Sequence, residues 1–214
     1  MPSFSIYIDY DGVGARTTES QVHRELSSGL SVPVGFKNGT NGGVSIALDA
    51  IKAAASSHHF LSVTKQGLSA IVETRGNDAC HVILRGGETG PNYSSQHVQA
   101  VIAQLEQKKL PPRLMIDCSH GNSQKQHKRQ LDVIQNICEQ IVENPNGHGI
   151  FGVMVESHLV EGRQDLMQQG GKEGLEYGKS VTDACIGWED TELVLRQLSD
   201  AIQQMRTKKS FKQG

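Results

Sequence analysis

Four short apolar runs punctuate the chain, and each ends on an ionisable residue: VPVGFK at Lys37, HVILR at Arg85, LMIDCSH at His120 and FGVMVE at Glu156. Short continuous apolar runs bounded by turn residues read as strands buried on both faces, the pattern of a parallel sheet. Between them lie segments of helical period. Val44, Leu48, Ile51 and Ala55 share one face, as do Val98, Val101, Ile102 and Leu105, then Leu131, Ile134, Cys138 and Ile141, and finally Leu195, Leu198, Ile202 and Met205. Strand and helix alternate, which predicts an α/β fold. The stretch FLSVTKQGLSAIVET departs from this rhythm by alternating apolar and polar residues on either side of a KQG turn, and predicts an inserted β-hairpin over residues 60–74.

If the parallel strands belong to a β/α barrel, their C-terminal ends point to one face, and the charged groups there converge on one pocket. A complete barrel has eight such units in about 250 residues. This chain offers four, preceded by the remains of a fifth around Ile6 to Ala15. The expectation is one partial barrel domain over residues 1–214, with a divergent start at 1–13 and a solvated tail at 207–214. An open doubly wound sheet has the same alternation, but neither GxGxxG nor GxxxxGK[ST] occurs.

Composition narrows the function classes. A net charge of -2 argues against a general nucleic-acid binder, so local positive charge serves something small. No run approaches the roughly 20 apolar residues of a membrane span, and the N-terminus lacks a secretory signal pattern. A cytoplasmic location is expected, without membrane or nucleic-acid partners. Cys80, Cys118, Cys138 and Cys185 lack CxxC spacing and read as reduced core thiols.

Candidate chemistry falls into two groups. Arg16, Lys37 and Arg85 lie beside Gly-containing turns at successive strand ends, and three fixed cations suit a substrate carrying phosphate and carboxylate groups. His120 in DCSHGNS, Glu156 in VMVESH and Asp183 in SVTDACIGWED form a donor set suited to manganese, iron, cobalt or zinc. A lone histidine in such a run is more often a hydrogen-bonded core residue than a ligand. His58, His59, His97, His127 and His148 read as incidental, and His158 is unassigned.

The strings GARTTESQVHREL, VGFKNGTNGG, HVILRGGETGPNY, MIDCSHGNSQKQ, GVMVESHLVEG and YGKSVTDACIGWEDT, in this order from about Gly14 to near Met205, resemble the C-terminal half of microbial class I 3-deoxy-D-arabino-heptulosonate 7-phosphate (DAHP) synthases. The resemblance implies a TIM-type (β/α)8 barrel, here about its C-terminal half. It implies condensation of phosphoenolpyruvate with erythrose 4-phosphate, the first step of the shikimate pathway, with release of phosphate. Residue by residue, it implies that Arg16, Lys37 and Arg85 bind phosphoenolpyruvate. Lys37, Arg85 and His120 become catalytic, and His120, Glu156 and Asp183 become ligands of a divalent metal ion. It further implies a homo-oligomer and an aromatic amino acid effector near residues 60–74, where HHFLSVTK is most similar to phenylalanine-sensitive members. The family's cysteine ligand on the first strand and its KPRTT segment on the second have no counterpart in this chain. Cys118, two residues before His120, reads as a buried structural cysteine and not as a substitute ligand. A non-catalytic fragment or interaction protein derived from the enzyme is the alternative reading.

Overall fold

The computed structural model describes residues 11–64, 66–144, 149–167 and 170–212, arranged in two compact units, Met1–Ile83 and Leu84–Gly214. Residues 1–10 of the expected divergent start, Lys65 of the hairpin turn, His148 and the 213–214 end of the expected tail lie outside the described residues.

The first unit contains β1 (Asp11–Val13), α1 (Gln21–Ser28), β2 (Val34–Lys37), α2 (Ser45–Ala54), β3 (His59–Val63) and β4 (Ser69–Glu73), and it ends within β5 (His81–Leu84). β1 runs parallel to β2, and β2 parallel to β5, with Phe36 opposite Val13 on one side and Val82 on the other. Val34, Phe36, Val82 and Ile83 are fully buried, which accounts for the unbroken apolar runs. α2 buries Leu48 and Ile51 as its periodicity predicts, with Val44 buried just before it, but Ala54 is buried in place of the expected Ala55, which is exposed, and Ala47 and Ala50 widen the packed face. β3 and β4 form the expected antiparallel hairpin, registered from His59 opposite Glu73 to Val63 opposite Ser69. α1 has apolar residues four apart, but on its exposed side. It buries Ser27 and Ser28, while Val22 and Leu26 are exposed.

The second unit contains α3 (Ser95–Gln107), β6 (Leu114–Asp117), α4 (Gln130–Glu143), β7 (Ile150–Met154), β8 (Val160–Arg163), β9 (Lys179–Ser180) and α5 (Trp188–Lys212). β6 and β7 are parallel, and β8 and β9 form a small separate parallel pair. α3 buries the expected face of Val98, Val101, Ile102 and Leu105, while α4 buries Ile134 and Ile141 of its expected face together with Val133 and Ile137, leaving Leu131 and Cys138 half-buried. The face expected for α5 is rotated: Val194 and Ala201 are buried and Leu195 is exposed. These two buried positions lie seven apart and so share one face of α5, which packs against α4. α5 also runs through Lys212, so residues 207–212 are helical where the sequence suggests a tail, and Lys208 Nζ donates to Val142 O at 3.1 Å. Among the described residues, no helix is long and apolar enough to cross a membrane.

Parallel pairing sets strand C-termini side by side. In the first unit this brings the turn after β1 next to the end of β2. In the second it joins the loops that leave β6 and β7.

Candidate metal centre

In the second unit the chain leaves β6 through Asp117-Cys118-Ser119-His120. Asp117 is fully buried, and its Oδ1 accepts the Ser119 N–H at 2.9 Å, closing an Asx turn. His120 follows with φ of +51°, a left-handed conformation that costs a non-glycine residue about 1–2 kcal/mol. Gly121 N and Asn122 N both donate to Arg85 O, at 3.0 and 3.2 Å, so the loop after β6 is fastened to the loop after β5. The approach is backbone to backbone: a Cβ on Gly86 would lie 2.4 Å from Gly121 C, and one on Gly121 would lie 2.8 Å from Gly86 C. Asn122, nearly buried, donates through Nδ2 to Leu84 O and Asp117 O and accepts Asn92 N through Oδ1.

Glu156, just past β7, is fixed from two directions. The wholly buried Gln130, first residue of α4, accepts Glu156 N at 2.9 Å and donates to Glu156 O at 3.0 Å. Ser119 Oγ donates to Glu156 Oε2 at 2.6 Å, a short charge-assisted bond. Asp183 arrives on the segment between β9 and α5, whose path is set by paired bonds between Gly162 and Cys185 and by Ile186 N donating to Glu156 O.

These restraints leave His120 Nε2 3.7 Å from Glu156 Oε1 and 4.0 Å from Asp183 Oδ2. One ligand atom from each of the three residues lies within 4.8 Å of the others. A divalent ion bound at about 2.0–2.2 Å needs donor atoms about 3–4.4 Å apart, and both distances from His120 Nε2 fall in that range. An imidazole nitrogen with two carboxylate oxygens suits the borderline ions of the first transition row. The adjoining cavity, roughly 40 Å³, has the room of a single ion or water, and Ser123, Lys125 and His127 also line it. Sequence reading passed over Lys125 and took His127 as incidental. It also missed Asp117, Ser119 and Gln130, for which an Asp three residues before a strand-end His was the available signal.

Cys118 Sγ is buried and lies 3.9 Å from Ile116 O. Burial, then the Asp117 charge and Cys138, push its thiol far above the ordinary range, and its sulfur is not one of the atoms that converge with His120, Glu156 and Asp183. His158 is exposed, with Nδ1 accepting the Leu159 N–H.

The expected anion-binding residues divide between the units. Arg85, half-buried at the end of β5, shares the second unit with the ligand set. Arg16 is exposed and Lys37 half-buried in the first unit, where the buried Thr18 hydroxyl lies 3.0 Å from Gly14 O and 2.9 Å from Lys37 O, joining the turn that carries Arg16 to the end of β2. The first unit also holds a cleft of roughly 540 Å³ lined by residues 28–31 and 72–79, beside the hairpin.

Parallel strands that carry a histidine and two carboxylates at their ends define an α/β protein with a donor set able to hold a divalent ion. Comparison with known proteins is specific: residues 2–196 match the DAHP synthetase I family, and the chain belongs to it. It is 61% identical over 196 residues to a phospho-2-dehydro-3-deoxyheptonate aldolase of Haemophilus influenzae, covering 92% of this chain and 53% of that protein. It is 59% identical over 199 residues to the Phe-sensitive enzyme of Escherichia coli K12, covering 93% and 55%. The solved structure of the Francisella tularensis phospho-2-dehydro-3-deoxyheptonate aldolase superposes with a TM-score of 0.86 at 53% identity, covering 92% of this chain and 56% of that one. The chain spans about half the length of the relatives it matches.

Proposed function

We propose that this chain carries the C-terminal half of a (β/α)8 barrel and, with it, metal-centre and substrate residues for condensing phosphoenolpyruvate with erythrose 4-phosphate to DAHP and phosphate. The observation that carries the reading is the convergence of His120 Nε2, Glu156 Oε1 and Asp183 Oδ2. Membership of the family supports it.

In this reading His120, Glu156 and Asp183 hold manganese, iron, cobalt or zinc. Bound there, the ion supplies Lewis-acid polarisation of the erythrose 4-phosphate aldehyde. Arg16, Lys37 and Arg85 bind the phosphate and carboxylate of phosphoenolpyruvate and orient its methylene carbon toward that aldehyde, a contribution of positioning and fixed charge. Ser119 and Gln130 keep Glu156 in place. The cleft lined by residues 28–31 and 72–79 supports an aromatic amino acid effector, and relatives from E. coli and Saccharomyces cerevisiae are named Phe-sensitive and phenylalanine-inhibited. The protein is read as cytoplasmic and homo-oligomeric.

The test is phosphate release from phosphoenolpyruvate by the purified 214-residue chain, with phenylalanine titrated into the same assay. Release that requires both erythrose 4-phosphate and Mn²⁺, falling at least about 100-fold in Glu156→Ala, is expected. No release above background overturns the catalytic reading for this chain and favours the non-catalytic fragment.

A further inference from the structure

We propose that Asp117 is a positioning residue that holds the His120 imidazole in its Nδ1–H tautomer, leaving the Nε2 lone pair directed at Glu156 and Asp183. The inference rests on reading His120 as a metal ligand and adds a residue to that site.

Three observations carry it. Asp117 has no exposed surface, and a buried carboxylate persists only with partners for its oxygens. Its Oδ1 is taken by the Ser119 N–H, which fixes the carboxylate plane, while Oδ2 lies 2.9 Å from His120 Nδ1. His120 Nδ1 is itself buried and has no well-aligned hydrogen bond among the described residues, so Asp117 Oδ2 is the acceptor that a modest turn of the ring brings into line. A neutral imidazole has one N–H and one lone pair, and a carboxylate beside Nδ1 places the proton there. The opposite nitrogen, Nε2, is the one that faces the two acidic ligands. The left-handed backbone of His120 belongs to the same arrangement. Its ring lies with Nδ1 against Asp117, three residues earlier, and strain of this kind persists only where the surroundings enforce it. Histidine ligands commonly depend on such a carboxylate, and its loss lowers metal affinity about 10- to 100-fold.

The first test needs no substitution. In the metal-free chain, with pH raised until the His120 ring carries a single proton, ring ¹⁵N NMR reports the tautomer, with the His120 signals assigned by their loss in His120→Gln. The proposal expects a protonated Nδ1 and a bare Nε2; a protonated Nε2 overturns it. The second test measures Mn²⁺ binding by calorimetry. Asp117→Asn can donate to Nδ1 and favours the wrong tautomer, so it should bind about 10- to 100-fold more weakly, with its His120 signals moved to the Nε2–H form. Asp117→Glu should recover part of both. If His120→Gln weakens Mn²⁺ binding and Asp117→Asn, folded by circular dichroism, does not, the role of Asp117 fails and the metal reading stands. If His120→Gln leaves Mn²⁺ binding unchanged, the metal reading fails and the tautomer measurement still decides Asp117.

Discussion

Gly86 and Gly121 show how little room the candidate site leaves at single positions. Gly86 has φ of +74°, and its Cα faces the Gly121–Asn122 peptide so closely that any Cβ overlaps backbone atoms. No rotamer relieves such a clash, because both partners are main chain. Gly86→Ala should therefore cost at least about 2 kcal/mol from strain and displacement together, read as a lowered urea midpoint. A loss under about 0.5 kcal/mol, the scatter of neutral surface changes, would refute the close approach. The motif strings ILRGG and SHGNS showed glycines next to ionisable residues, yet nothing in either string announced that the two glycines face one another. Ser119 and Gln130 were hidden for the same reason: their contacts with Glu156 are set by packing across 37 and 26 residues, not by a spacing rule.

At the scale of elements, the hairpin of β3 and β4 is held by its ends more than by its apolar face. Leu61 and Ile71 are paired across the strands but 83% and 71% exposed. Thr74, nearly buried at the foot of β4, has its hydroxyl 2.9 Å from His58 N and 2.7 Å from Ser28 Oγ. The double substitution Leu61→Thr with Ile71→Thr should change stability by no more than about 1 kcal/mol, the worth of a cross-strand pair. Thr74→Val, which strands buried polar partners, should cost about 1–3 kcal/mol. Chemical denaturation of both variants checks this, and the reverse order would show that the apolar face is buried. Helices with large apolar residues on the packed side, α3 and α4, were legible from period. α1 was not, because serines make its buried side, and α5 was turned because Val194 and Ala201 were outweighed in the pattern by larger neighbours.

For the whole molecule, edge strands matter most. β7 is apolar from Ile150 to Met154 and pairs only with β6 among the described residues, and Phe151 on it is half exposed beneath Arg113, whose guanidinium carbon lies 5.8 Å from the ring centre. β1 likewise pairs only with β2. An apolar strand at the edge of a sheet, as β7 is, recruits other strands, so the purified chain should self-associate in a concentration-dependent way on sedimentation. A monodisperse monomer that unfolds in one cooperative transition at all concentrations would contradict this.

By itself the sequence determined the alternation of buried strands and amphipathic helices and the hairpin, and it singled out His120, Glu156 and Asp183 as a candidate donor set, because burial and period are local properties of the chain and the long motif strings are distinctive. Only tertiary structure decided that those three side chains meet, which nitrogen of His120 faces the carboxylates, and that Cys118 points away into the core. Convergence depends on parallel strands ending side by side and on buried polar contacts between loops far apart in sequence, and both arise only when the chain is folded.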